Sequence, residues 1–331
     1  MPMKTYNVIR LRFLSPLHIG EGKDNYDFSS SELHSDTITA ALGAIKAERG
    51  ANPEEIAKFL SSFTLSSAFP FVKDTYYLPR LAGKMAIHTS EEEKLRKRLK
   101  KIRYVDSQLW SQSVLGNIID IQESWLHGTY LISDNHNSTF IEPFVNQVSQ
   151  RVSVPRDNKT EAEPFFFEWR FFHSEAGLYC ITDATDELFD KLCSLFRELG
   201  DLGLGTDKNI GGGHFDIETD TIQLPEVKDA NATVLLSLYL PQENELNTLN
   251  LTDSRYNLIL RGGFMAGSTM PSARHLLKKS VYMFTEGSVL STNTPIEGAV
   301  VNLQPEWADV SIHPVFRSGR AFSLPIKQCS L

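Results

Sequence analysis

Nine histidines, three cysteines and one glycine-rich run are where this chain could carry chemistry. No histidine stands in H-E-x-x-H spacing, no serine sits in G-x-S-x-G, and no G-G-D-D run marks a polymerase palm. His18 and His34 lie near the end of the first predicted strand and the start of the first predicted helix, and either could act as a general acid or base on RNA. Structural roles fit both better, since His34 directly precedes a helix start. Cys180, Cys193 and Cys329 are an odd count without C-x-x-C spacing, which argues against disulfides and zinc and for buried packing of the first two. No catalytic residue, metal or cofactor is assigned.

The run GLGTDKNIGGG (203–213) lacks the Gly-Lys-Ser/Thr of a phosphate-binding P-loop. A dinucleotide fold needs strand, glycine turn, then helix; here a helix precedes the loop and a strand follows it. What fits is a loop whose missing Cβ atoms let a partner's backbone approach, with Lys208 supplying charge. Arg261-Gly262-Gly263-Phe264 has a related character: a planar guanidinium beside glycines that expose backbone N–H groups.

Thirty-three basic and 41 acidic residues give a net charge of −8, the wrong sign for coating nucleic acid over a whole surface. The acids are sorted away from three segments. Residues 254–285 hold Arg255, Arg261, Arg274, Lys278 and Lys279 with no Asp or Glu; 310–331 hold Arg317, Arg320 and Lys327; 143–156 hold Arg151 and Arg156. Such segregation suits a local anionic ligand. The segment 91–103 carries seven basic side chains in its last ten positions, with Leu95, Leu99 and Ile102 on one edge, and reads as a solvated helix inside an insertion. The cluster Phe165-Phe166-Phe167 with Trp169, Phe171 and Phe172 reads as core.

The elements that must position these groups follow from periodicity. Ile9, Leu11 and Phe13 alternate with Arg10 and Arg12, predicting a half-buried strand over 5–13. A helix is predicted from an N-cap at Ser35 to Gly50, and a second from Pro53. Strands are expected at about 165–172 and 178–182, then a helix capped at Thr185 and ended by Gly200, then a strand at 214–217. That order is a ferredoxin-like βαββαβ unit with an insertion after the first helix. The polar stretch 221–230 marks a boundary, so domains are expected over 1–225 and 226–331. Strands at 234–240, 256–260, 281–284, 299–303 and 321–326 make the second domain β-rich. Composition, 41% apolar and 22% charged, is that of a globular protein, and neither a signal peptide nor a 20-residue apolar span is seen, so a cytoplasmic location is expected.

Pro16-Leu17-His18-Ile19-Gly20-Glu21-Gly22 followed by His34-Ser35-Asp36-Thr37-Ile38 resembles the opening of the RAMP subunits that cap the crRNA 5′ end in type III-A CRISPR (Csm) complexes. In order along the chain, Arg151-Val152 through Phe165-Phe166 resembles that family's thumb hairpin, GLGTDKNIGGGHF its glycine-rich loop, and Leu260-Arg261-Gly262-Gly263-Phe264, Phe284-Thr285-Glu286-Gly287-Ser288 and His313-Pro314-Val315-Phe316-Arg317-Ser318-Gly319 its C-terminal half. The hairpin centre, residues 155–160, departs from the family's small, glycine-bearing pattern.

The resemblance implies an α+β fold of two ferredoxin-like (RRM-like) domains in tandem, with a helical insertion and a thumb hairpin in the first. It implies a non-catalytic subunit of antiviral defence that binds the repeat-derived 5′ handle of crRNA. The partners it implies are the large polymerase-like subunit and the backbone RAMP subunit; target RNA is met only indirectly, and there is no membrane partner. The expected RNA contacts are His18, Arg151 and Arg156 around the hairpin, and Lys208, Asn209, Gly211, Gly212 and Gly213 in the glycine loop. Arg261, Gly262, Gly263, Arg274, Lys278 and Lys279 complete them in the acid-free segment. Three other readings compete: a RAMP endoribonuclease with a histidine base, the equivalent type III-B subunit, and a scaffold that binds only protein.

Overall fold

The computed structural model describes residues 2–20, 28–89, 92–154, 162–265, 268, 270–292, 294–306 and 312–327. Strand β1 (Met3–Phe13) is central and not half-buried. Ile9 and Leu11 enter the helix-side core. On the opposite face Arg10 is buried too, its guanidinium 4.1 Å from the Phe71 ring centre. Helix α1 (Ser35–Glu48) buries Ile38, Leu42 and Ile45. Its N-cap is His34 and not Ser35. The Ser35 hydroxyl accepts from the Leu238 backbone N–H and its N–H donates to the Ser67 hydroxyl, so that side chain ties two parts of the fold together. Helix α2 (Pro53–Ser61) starts with a reciprocal capping box between Asn52 and Glu55, both bonds 2.9 Å.

Strand β2 (Phe69–Val72) comes next, and only after it does the insertion begin. The insertion therefore follows the second ferredoxin strand, not the first helix. It extends the same sheet through Thr75–Pro79, Tyr104–Asp106, Tyr130–Leu131 and Leu126–His127. Within it, α3 (Glu92–Leu99) is the expected basic helix, pinned to the core by buried Leu95 and by Ile102 just beyond it. Leu95→Ala is expected to cost ~2–5 kcal/mol as a large-to-small core change, checked by urea unfolding; a loss below ~1 kcal/mol would mean the helix is not anchored there.

The thumb is an antiparallel hairpin of β3 (Phe144–Ser153) and β4 (Glu163–Phe172), paired from Phe144↔Phe172 to Ser153↔Glu163. Strand β5 (Ala176–Thr182) then returns to the sheet, and α4 (Asp186–Leu202) follows. Helix α4 starts after Thr185 as expected, though no side-chain cap bond forms, and it runs two residues past Gly200 to Gly203, whose φ is +79°. Gly200 has another reason to be glycine: a Cβ there would overlap the Phe215 carbonyl oxygen. Strand β6 (Phe215–Pro225) pairs with β1 along its whole length, Met3↔Pro225 to Phe13↔Phe215. The order β6-β1-β5-β2, all antiparallel, with α1 and α4 over one face, is ferredoxin-like.

In the C-terminal half, β7 (Ala232–Leu235), β8 (Leu249–Arg255), β9 (Val289–Thr292) and β10 (Ser323–Ile326) form an antiparallel sheet ordered β8-β9-β7-β10. The strand expected over 234–240 is displaced: the chain leaves the sheet after Leu235. Two short ribbons, Leu258–Arg261 with Val281–Phe284 and Val300–Asn302 with Phe316–Ser318, lie outside it. Val234, Leu236, Phe322 and Leu324 join Val8, Ile222 and Leu224 in one core, so the two halves share apolar burial. No helix among the described residues is long and apolar enough to cross a membrane.

Candidate nucleic-acid interface

The turn after β1 is gripped between the thumb and the glycine loop. Leu17 and Arg170 exchange backbone hydrogen bonds of 2.9 and 3.0 Å, Thr206 N–H donates to the His18 carbonyl at 3.1 Å, and Gly213 N–H donates to the Pro16 carbonyl at 2.9 Å. His18 is 2% exposed. Its Nδ1 meets the Glu168 carbonyl oxygen at 2.8 Å, which makes that nitrogen the proton carrier, and its ring lies 4.4 Å from Phe167. His18 thus orients the hairpin from beneath and offers no face to a ligand.

Above it stands Arg151. Its guanidinium lies 4.4 Å from the Phe167 ring centre and 5.3 Å from that of Trp169, and is 3.8 Å from Asp207 of the glycine loop. A guanidinium held over aromatic rings is pre-oriented by cation–π attraction. The aromatic run read as core is only partly so: Phe167 and Trp169 are buried, whereas Phe166 and Phe171 are 56% and 43% exposed. Arg156 lies outside the described residues.

The glycine loop is used differently from the expectation. Gly211, Gly212 and Gly213 donate their N–H groups to Lys208, Asp207 and Pro16 carbonyls, so no cradle of free N–H groups remains there. The close approaches these glycines permit are internal. A Cβ on Gly212 would sit 2.6 Å from the Trp169 ring, and one on Gly213 would overlap the Leu204 carbonyl. Lys208, Asn209 and Gly211 are the loop's exposed positions among the expected contacts.

The acid-free segment forms a second group around Asp36, which is 0% exposed. Arg261 grips it with Nε–Oδ2 of 2.7 Å and Nη2–Oδ1 of 3.0 Å, and also bonds the Thr37 hydroxyl; Arg317 pairs with the same carboxylate. Burial raises the Asp36 pKa, but the two guanidinium groups outweigh it and hold the carboxyl below its ordinary value. Arg261 is therefore an internal anchor between α1 and the C-terminal half. Lys278, half-buried nearby, has its amine pushed down to about 8 by burial and then by Arg317. It opens on a cleft of ≈520 Å³ beside Met265 and Phe316. Lys279 pairs with Glu306; Arg274 is exposed and donates to the Ser268 carbonyl at 2.8 Å. Gly262 sits against Ser280, and Gly263, at φ +97°, faces open space.

The other sequence candidate, His34, donates from Nδ1 to the Glu286 carboxylate at 2.8 Å, and that carboxylate also accepts from the Ser67 hydroxyl. Burial lowers the His34 pKa, yet Glu286 more than reverses this, and His34 in turn holds the Glu286 carboxyl below its ordinary value. Glu32 completes a group with ligand atoms within 4.8 Å of one another, but the His34 Nδ1 is already committed to Glu286. Sequence reading missed Arg170, fully buried beneath Phe144, and the partnership of Arg317 with Asp36. Nothing local carries either, since strand alternation sets Arg170 on the side of the exposed Phe166.

Comparison with known proteins gives a consistent family. The sequence model of the RAMP superfamily matches residues 10–216, and that of the CRISPR Csm4 C-terminal domain matches 228–326. A protein of Thermococcus onnurineus (strain NA1) named CRISPR system Cms protein Csm4 is 28% identical over 262 residues, 74% of this chain and 80% of the relative. Among solved structures, a Csm1–Csm4 cassette in complex with cA4 contains a chain matched with a TM-score of 0.62 at 21% identity, covering 99% of this chain and 100% of that one. A Csm3–Csm4 subcomplex of the type III-A CRISPR-Cas interference complex contains another, with a TM-score of 0.61 at 17% identity, covering 98% and 100%. These structural likenesses establish the fold.

Proposed function

Because the chain belongs to the RAMP superfamily, we propose that it is the Csm4-like, non-catalytic subunit of a type III-A CRISPR interference complex. In this reading it works in the cytoplasm, binds the repeat-derived 5′ handle of the crRNA, and docks the large polymerase-like subunit and the backbone RAMP subunit. The two partners are those with which the similar structures were solved.

The fold reading behind this is two ferredoxin-like domains, 1–225 and 226–331. Its support is a repeated strand order: β8-β9-β7-β10 has the sequence-to-space permutation of β2-β5-β1-β6. The second unit lacks the long helices of the first, having only Glu243–Leu246 in its first crossover.

One observation carries RNA binding: the Arg151 guanidinium lies over the Phe167 and Trp169 rings while Lys208 and Asn209 stand exposed on the loop whose Asp207 it pairs with. Single-stranded RNA is held by cations on phosphates and by planar groups on splayed bases, and this junction offers both. Gly211, exposed and free of neighbours on its Cβ side, is where an RNA backbone can come closest. Arg274 and Lys279 extend the contact as exposed cations, with Gly262 and Gly263 beside them. The endoribonuclease reading is disfavoured, because both His18 and His34 are buried with Nδ1 engaged.

Arg151→Ala should weaken binding of a handle-sequence RNA by roughly tenfold and reduce the slope of log affinity against log salt by about 0.7. Fluorescence anisotropy over a salt series measures both. Unchanged affinity and slope would remove the hairpin from the interface.

A further inference from the structure

A second cavity, ≈500 Å³, lies where the insertion meets the C-terminal half. Its walls come from Leu33, Leu81, Ile102 and Tyr104 on one side and Asn257 and Thr285 on the other, and the Ala82 N–H bond to the Gly287 carbonyl, 2.7 Å, closes one end. Arg80 and Arg103 line it, and a third arginine, Arg255, stands at its edge beside Gly83. Arg80 donates to the Leu99 and Gly83 carbonyls, each at 3.2 Å, while its buried Nε has no partner. Arg103 is tied to the Ser31 hydroxyl at 2.7 Å and only loosely, at 4.0 Å, to Glu32. The stem of Arg255 lies against Gly83, and its guanidinium donates to the Ser254 carbonyl.

The rim continues onto the insertion helix. Arg96, Lys97, Lys100 and Lys101 are exposed, and none forms an ion pair among the described residues. In a chain of net charge −8, that concentration of unpaired cations is a field directed at an anion.

Inside the cavity the chemistry changes. Glu32 and Glu286 line it together with Asn257 and Thr285. Carboxylates there repel an entering aspartate or glutamate side chain, but they accept hydrogen bonds from the amino group of a nucleobase. The apolar wall suits a base's faces, and the volume falls within the range of small-molecule pockets. A ligand with an anionic link outside and a neutral, amino-bearing ring inside matches both zones.

We propose that this cavity is a second RNA site, separate from the thumb junction, which takes one splayed nucleotide with its phosphates on Arg103 and Arg255. The proposal extends the RNA-binding reading above and shares its premise that the ligand is single-stranded RNA.

The test uses the full-length protein and a ten-nucleotide RNA carrying 4-thiouridine, with cross-linked peptides mapped by mass spectrometry. Arg80 supports two carbonyls, so the variant is Arg103→Gln with Arg255→Gln, both exposed; circular dichroism checks that it folds. Cross-links near Tyr104 or Asn257 in the parent, lost in this variant and retained in Arg151→Ala, are the expected result. Loss of two phosphate contacts should also lower the salt slope by about 1.4 and affinity by roughly tenfold. Cross-links confined to the thumb would overturn the cavity proposal and leave the thumb reading intact. Cross-links confined to the cavity would do the reverse. Competition by a ten-residue oligoglutamate for the cavity cross-links would replace the nucleotide with an acidic peptide, and absence of any cross-link would overturn both readings.

Discussion

Asp36→Asn should destabilise the protein by about 3–5 kcal/mol, the cost of leaving buried guanidinium groups without their counter-charge. Arg261 and Arg317 both converge on this one carboxylate, and Lys278 adds a third cation beside them. Removing the single anion leaves mutual repulsion around a carboxylate position that is fully buried and an Arg317 side chain that is nearly so. Arg317→Met should cost less, because Arg261 still pairs with the carboxylate through two hydrogen bonds. Guanidinium unfolding of the two variants compares them directly, and an Asp36→Asn loss below ~1 kcal/mol would show that the cluster is solvated in solution. The pH dependence has a definite sign. The folded pKa of Asp36 lies below its unfolded value, so its contribution is fully present above about pH 3.9 and disappears as pH falls through the folded pKa. The gap between parent and variant should therefore close on the acid side.

Gly213→Ala is expected to cost roughly 2–5 kcal/mol and to weaken RNA binding at the thumb with it. Two penalties combine: a left-handed φ of +72°, worth ~1–2 kcal/mol for an L-residue, and overlap of the new methyl with the Leu204 carbonyl, worth ~1–3 kcal/mol of backbone displacement. Gly211→Ala separates the two. Its φ of +87° is equally unfavourable, yet nothing lies near its Cβ, so only the ~1–2 kcal/mol conformational cost should appear. Equal losses in the two variants, read by urea unfolding, would mean that the loop does not rely on close packing at Gly213.

The first half of this architecture was legible because its elements are long. Alternation from Ile9 to Phe13 marks the eleven-residue strand β1, and the seventeen-residue helix α4 carries an unbroken stripe from Leu192 to Leu199. Strand β2 is four apolar residues, F-P-F-V, with no period to read, and so the insertion was placed one element too early. In the C-terminal half strands of three and four residues dominate, too short for alternation to show. Sorting of charge pointed alike to Arg151, which lies partly exposed beside Asp207, and to Arg261, whose partner Asp36 lies 225 positions away. A buried ion pair across that distance leaves no local mark, so a guanidinium locked in the interior and one offered to solvent look alike in sequence. The supporting aromatics of the thumb were visible as a cluster, whereas which of them are buried, Phe167 and Trp169, and which exposed, Phe166 and Phe171, depends on what packs against the hairpin.

The pairing of β1 on both sides sets the order in which the chain can fold during synthesis. Its two neighbours are β5, beginning at Ala176, and β6, ending at Pro225. At ~5–20 residues per second, the ribosome delivers β5 some 8–30 s after β1 and completes β6 about 10–40 s after it. Through that interval α1 and α2 can form locally, but a strand bearing Ile9, Leu11 and Phe13 has both hydrogen-bonding edges open. The nascent chain thus carries an unpaired apolar strand until about two thirds of it has emerged, a window in which that strand is open to edge-to-edge association.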